Sequence, residues 1–153
     1  MTAPGWIAVD WGTSSLRAWA MDGDRVLDER RTDEGAGGLD PTGFERVLIG
    51  LIERWLGPQP VSVIACGMVG SRQGWAEAPY RKVPCEPLDG LMAVAGTDQR
   101  IRLSIVPGLS QEKPADVIRG EETQIAGFLS HHPDFDGVLC LPGTHTKWVR
   151  ISA

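Results

Sequence analysis

Apolar and polar positions divide the chain into short blocks. Residues 6–10 (WIAVD) form an apolar run that ends on a carboxylate, and residues 11–15 (WGTSS) turn. Residues 16–21 (LRAWAM) return with the alternation of a half-buried strand. Asp22-Gly23-Asp24 is a hairpin signal, and residues 25–33 (RVLDERRTD) continue as a more polar strand suited to a sheet edge. Three strands joined by tight turns predict an antiparallel meander. The glycine-rich stretch 34–38 breaks that pattern, and a helix follows. Asp40 is its expected cap and Pro41 its first residue. Phe44, Val47, Leu48, Leu51, Ile52, Trp55 and Leu56 recur at helical spacing until Gly57-Pro58 stops them. Residues 61–65 (VSVIA) read as a strand, so the order is β-β-β-α-β.

Residues 67–87 are irregular and rich in Gly, Pro and aromatic side chains. A connection of that length points to a functional loop or an inserted subdomain. Residues 88–95 predict a short helix closed by Gly96, and residues 100–106 (RIRLSIV) a strand ended by Pro107-Gly108. A helix starting near Gly120 turns Ile125, Phe128 and Leu129 inward. Residues 137–141 predict a last core strand, residues 142–146 (PGTHT) a turn, and residues 147–151 a returning strand. Both ends of the chain therefore carry a strand, a Gly-Thr turn and a returning strand.

Composition narrows the function classes. The 153 residues are 42% hydrophobic and 23% charged, enough for a soluble domain with its own core. Fifteen Lys and Arg against twenty Asp and Glu give a net charge of −5. That disfavours a general nucleic-acid or anionic-membrane surface and leaves room for a local basic site. No apolar run reaches the roughly 18 residues of a membrane span, and no signal-peptide pattern opens the chain. Three widely spaced cysteines without a CxxC predict a reduced, cytoplasmic protein. Cys66 and Cys140 lie in apolar strands and read as core thiols rather than nucleophiles. His145 and the His131-His132 pair lack spaced Cys or carboxylate partners, so no histidine metal site is predicted.

Four segments carry candidate chemistry. In residues 10–17 (DWGTSSLR), Gly12 lets backbone approach a ligand, and the amides and hydroxyls of Gly12, Thr13 and Ser14 suit phosphate oxygens. Asp10 at the strand end suits a magnesium ion held through water; the plain alternative is a hairpin with a polar tip. In residues 119–124 (RGEETQ), two adjacent carboxylates open a helix and cannot both face one way. The helix dipole alone would account for them. The loop from Gly67 to Trp75 follows the fourth strand, on the side where α/β sheets hold ligands. Residues 142–148 (PGTHTKW) form the fourth segment; a lone strand lysine such as Lys147 is more often solvated.

The DxGT hairpin, the β-β-β-α-β order and the second Gly-Thr hairpin resemble the actin-like sugar-kinase superfamily. More narrowly, residues 68–80 (MVGSRQGWAEAPY), 116–128 (DVIRGEETQIAGF) and 140–149 (CLPGTHTKWV) resemble the 2-dehydro-3-deoxygalactonokinase family. The resemblance implies an α/β, ribonuclease-H-like (actin-like ATPase) domain: a mixed sheet with the three-strand meander and flanking helices. Residues 1–136 would be the first kinase domain, with a substrate loop inserted at about 67–87. Residues 137–153 would be the opening hairpin of a second domain, and a truncated chain is expected. The implied reaction moves the γ-phosphoryl group of ATP, with Mg2+, to the 6-hydroxyl of 2-dehydro-3-deoxy-D-galactonate.

Asp10 would organise the metal and Gly12, Thr13 and Ser14 would approach the transferred phosphate. Gly143, Thr144 and Thr146 would meet the β- or γ-phosphate, with Lys147 able to neutralise charge. Glu121 stands where the superfamily places an Asp as base, a methylene longer; Glu122 is the fallback. Arg72, Gln73 and Trp75 would hold the sugar acid, with Tyr80, Arg81 and Arg17 as weaker candidates. The implied partner is a small sugar acid, without nucleic acid or membrane, and a homodimer is compatible with it. Two alternatives remain at this point: a non-catalytic sugar-acid-binding domain, and a kinase of this fold for another sugar acid.

Overall fold

The computed structural model describes residues 3–96 and 98–152. Its centre is a six-stranded mixed sheet. The strands β1 (Trp6–Trp11), β2 (Leu16–Asp22) and β3 (Arg25–Thr32) form the antiparallel meander the alternation predicts. Helix α1 (Gly43–Ile52) then crosses to β4 (Val61–Gly67), which runs parallel to β1. Next come β5 (Tyr80–Lys82), β6 (Met92–Val94) and β7 (Ile101–Ile105). The large sheet has the order β3-β2-β1-β4-β7-β6, with β4 and β7 parallel and β6 antiparallel to β7. Polar β3 lies at one edge, as its composition demands.

One face of this sheet is the core. Ile7, Val9 and Trp11 alternate inward along β1, and Leu16, Ala18 and Ala20 along β2. They meet Phe44, Val47, Leu48 and Ile52 from α1. Trp11 packs tilted on Phe44 with ring centroids 5.1 Å apart, and its indole N–H donates to the Glu34 carbonyl at 3.1 Å. Burying each such side chain contributes about 2 kcal/mol. The helix starts later than its sequence suggests. The Asp40 carboxylate accepts the Thr42 amide at 2.9 Å and closes a turn through Pro41, so α1 begins at Gly43.

Three further expectations are corrected. Residues 88–95 are not helical: Met92–Val94 form edge strand β6, where pairing with β7 outweighs the apolar spacing of Leu88, Leu91 and Met92. A second sheet, unforeseen in sequence, is built from β5, β8 (Gly108–Glu112) and β9 (Ala115–Ile118), in the order β5-β8-β9. After α2 (Glu121–His131), strands β10 (Gly137–Leu141) and β11 (Lys147–Ile151) pair, among the described residues, only with each other. Strand β10 is therefore half-exposed rather than core, and Cys140 is exposed rather than a core thiol.

Candidate active site

Three chain segments converge at the carboxyl ends of β1 and β4. Gly67 ends β4 with φ +92°, and a Cβ there would lie 2.7 Å from the Trp11 carbonyl oxygen. Only glycine tolerates that backbone and that approach. Gly120, with φ +107°, opens α2; a Cβ on it would lie 3.5 Å from the Gly67 Cα. The end of β1, the end of β4 and the start of α2 are thereby held together. A cleft of about 800 Å³ opens over them.

The cleft is lined by Asp10, Gly12 and Thr13 from the first hairpin and by Gly120, Glu121 and Gln124 from α2. Asp10 Oδ2 accepts from Arg17 Nη2 at 2.5 Å, across the β1–β2 register that sets the two opposite each other. The Asp10 side chain keeps 35% of its surface exposed, so it is open to a ligand. The floor is apolar, with Trp6, Ala8, Trp19 and Ile64 on the sheet face opposite the core.

The hairpin tip is braced from outside. The Gly12 amide donates to the Ser15 carbonyl at 2.9 Å and closes the turn. The Ala36 and Gly37 amides donate to the carbonyls of Gly12 and Thr13, each at 2.9 Å. A Cβ on Gly35 would stand 2.2 Å from the Thr13 carbonyl oxygen and 2.4 Å from the Ser14 Cα. The glycine run 35–38, legible in sequence only as a break between elements, is thus a fitted support for the hairpin.

The two carboxylates opening α2 have separate surroundings. Glu121 lines the cleft, and one of its oxygens accepts the Arg119 amide at 2.9 Å. Glu122 is fully buried, and its two oxygens accept the Gly120 amide at 2.8 and 2.7 Å. Burial pushes the Glu122 carboxyl above the usual carboxylate range. Glu122 therefore anchors the helix start, and Glu121 is the carboxylate that lines the cleft. Cys66 also borders the cleft; burial first, then the nearby Asp10 charge, pushes its thiol up to about 12. It stays protonated, as expected of an inert thiol.

Other sequence candidates lie apart. Ser14 is exposed at the hairpin tip and does not line the cleft. Arg72 and Gln73 are exposed and also stand outside it. Trp75 packs against Trp11 at 6.5 Å and Phe44 at 6.3 Å, pinning the loop to the core. Arg81 donates to the carbonyls of Glu86 and Pro87, both at 2.8 Å, and so closes its own loop. In the second Gly-Thr hairpin, Gly143, Thr144 and Thr146 are exposed, and only Pro142 reaches the cleft. Lys147 is not a solvated lysine: it forms an ion pair with Asp116 on β9 and holds that Asp's carboxyl below the usual range. Arg119 and Gln124 border the cleft and were not singled out in sequence; their positions flanking the paired carboxylates are the signal that was available. Among the described residues, no helix is long and apolar enough to cross a membrane.

A family model described as 2-keto-3-deoxy-galactonokinase matches residues 10–153. The chain is 43% identical, over 99% of its length, to a Rhizobium meliloti protein described as a probable 2-dehydro-3-deoxygalactonokinase. It is 37% identical, over 97% of its length, to the Escherichia coli 2-dehydro-3-deoxygalactonokinase. It spans about half the length of both curated relatives, 51% and 50%. A Sinorhizobium meliloti crystal structure assigned to the same activity superposes with a TM-score of 0.85 at 41% identity, covering 97% of this chain and 50% of that one.

Proposed function

The chain belongs to the 2-keto-3-deoxy-galactonokinase family, and from that premise we propose that its cleft is the acceptor side of an ATP-dependent sugar-acid kinase. The reaction transfers the γ-phosphoryl group of ATP to the 6-hydroxyl of 2-dehydro-3-deoxy-D-galactonate. The observation that carries this reading is the convergence of Asp10, the Gly12-Thr13 turn and Glu121 on one cleft. Phosphoryl transfer needs chiefly positioning and charge neutralisation, with a carboxylate to receive the hydroxyl proton. As the bond from the sugar oxygen to phosphorus forms and the β–γ bridging bond breaks, that proton passes to Glu121 and ADP departs. A general base of this kind is worth roughly 10²–10⁴ in rate.

Asp10 suits a magnesium ion. Its carboxylate is open to the cleft, and this ion prefers one or two carboxylates together with phosphate oxygens and water. When bound, the ion neutralises charge on the phosphate oxygens. Gly12, whose own amide closes the turn, lets the Thr13 amide and hydroxyl approach the transferred group, and the Ser14 hydroxyl at the exposed tip is kept as a further candidate. Arg72 and Gln73, on the exposed loop that Trp75 anchors, are kept as substrate-side groups.

The sheet order β3-β2-β1-β4-β7, with its parallel β1-β4-β7 core, supports reading residues 1–136 as the first domain of a ribonuclease-H-like, actin-like kinase. The separate β10–β11 pair supports reading residues 137–153 as the opening of a second domain, where Gly143, Thr144 and Thr146 would face ATP. The unpaired Cys66, Cys85 and Cys140 are in keeping with a reducing, cytoplasmic setting.

The test is a coupled ADP-release assay with Mg2+, ATP and the sugar acid. The protein is this chain joined to the second half of the Rhizobium meliloti relative. Turnover is expected, and Glu121→Gln should lower it about 100-fold or more. Undiminished turnover in Glu121→Gln removes that residue from the role. A folded hybrid that phosphorylates no sugar acid sinks the kinase reading.

A further inference from the structure

Arg119 sits between β9 and α2, near enough for its charge to act on the Glu122 carboxylate but paired with no carboxylate. Among the described residues none lies within ion-pair distance of it, whereas Arg17, Arg30, Arg100 and Arg150 each hold one. Its guanidinium is instead committed to the irregular loop after β4. Nη2 donates to the Ala78 carbonyl at 2.9 Å. The guanidinium carbon lies 4.2 Å from the Tyr80 ring centroid, a cation–π distance, and Nε approaches the Tyr80 hydroxyl at 3.4 Å. Nη1 is buried without a hydrogen-bond partner and stands over Gly70, where a Cβ would come within 2.9 Å of it. The loop is closed on itself at the same place, since the Ala78 amide donates to the Gly70 carbonyl at 2.9 Å.

The backbone of this same residue faces the other way. Its amide donates to the Glu121 carboxylate at 2.9 Å. One residue therefore grips the loop with its side chain and the cleft carboxylate with its main chain. A buried nitrogen without a partner is costly. Here it accompanies a geometry that only a planar, forked cation provides.

We infer that Arg119 is a positioning residue that locks loop 70–80 to the start of α2, so that the loop, which stands behind the cleft lining, braces Glu121 from outside. The inference rests on the kinase reading for its catalytic meaning, though not for its mechanical content. A lysine at 119 keeps the charge and one donor but loses the stacking plane and the fork. The loop then moves independently of Glu121, and the acceptor substrate loses its fixed orientation while ATP is unaffected.

The mechanical half is tested on this chain by amide hydrogen exchange in Arg119→Lys, Tyr80→Leu and Tyr80→Phe. Exchange across residues 70–80 is expected to accelerate about tenfold or more in the first two, with β1 and β4 unchanged. Tyr80→Phe keeps the ring and should retain the parent rate. Unchanged exchange across 70–80 in both Arg119→Lys and Tyr80→Leu overturns the inference. The catalytic half is read in the hybrid enzyme. Arg119→Lys should raise the KM for the sugar acid about tenfold and leave the KM for ATP within about twofold. An equal rise in both constants, or in neither, overturns the positioning role. If the parent hybrid turns over no sugar acid, the kinase reading has failed, and the exchange experiment alone decides whether Arg119 is the lock.

Discussion

The two Gly-Thr hairpins share a local pattern and differ in almost everything around it. Residues 11–15 turn beneath a brace: Ala36 and Gly37 donate to the Gly12 and Thr13 carbonyls, and Gly35 leaves no room for a Cβ. That hairpin belongs to the six-stranded sheet and borders the cleft. Residues 142–146 turn in the open. Among the described residues, a Cβ on Gly143 would meet nothing closer than the His145 carbonyl at 3.9 Å, and the two strands pair only with each other. Val138 and Trp148 remain 56% and 72% exposed. A two-stranded ribbon is marginal by itself, so its attachment comes from side-chain contacts such as Lys147 with Asp116. The same turn motif is thus braced by a neighbouring glycine-rich stretch in the first hairpin and, among the described residues, stands without such a brace in the second.

The largest effect expected from this contrast is on Gly35. Gly35→Ala forces a Cβ into the Thr13 carbonyl and should cost about 3 kcal/mol in urea unfolding, the upper range for overpacking. Gly143→Ala should stay within about 0.5 kcal/mol. Equal costs at the two positions would erase the distinction.

A smaller effect separates the hairpins by pH. Lys147 holds the Asp116 carboxyl below its ordinary 3.8. A carboxyl lowered on folding contributes stability that is fully present above the unfolded value and is lost as pH falls through the folded value. Moving from pH 6 to pH 3 should therefore loosen residues 137–151. Amide resonances there should shift, while those of Gly12 to Ser15, held by backbone bonds, keep their neutral-pH pattern. Concerted shifts in both hairpins would contradict the account.

The smallest effect is expected from Lys147→Met at neutral pH. It removes a partly exposed ion pair and should lower global stability by an amount near the detection limit of urea unfolding. It should also abolish the local acid response of the β10–β11 hairpin, measured by the same resonances.

Much of the fold was legible because periodicity and turn chemistry agreed. The β1–β3 meander, α1 and β4 each had alternating or helical apolar spacing with glycine or proline at the ends. What escaped lacked such a pattern. Strand β9 has three exposed residues followed by a half-buried one, and β5 and β6 are only three residues long. Only β5 pairs with a strand far along the chain, β8; β6 and β9 pair with their sequence neighbours β7 and β8, but they are too short or too polar to show an alternating pattern. The same divide runs through the site. Asp10, Gly12, Thr13 and Glu121 were readable as strand-end, turn and helix-start residues. The Gly35 brace and the Arg119 lock are relations between distant segments, and residue type alone does not announce them. Arg72 and Gln73 suit a sugar acid by chemistry, and they stand exposed on the loop that Trp75 pins to Trp11 and Phe44.

The most direct test of the central claim is a titration of this chain with 2-dehydro-3-deoxy-D-galactonate, followed by amide resonances. Saturable shifts are predicted at Asp10, Gly12, Thr13, Gly120 and Glu121, with residues 143–146 unmoved. Shifts confined to residues 143–146 or to Arg72 and Gln73, or none anywhere, would contradict the assignment of the cleft as the acceptor site.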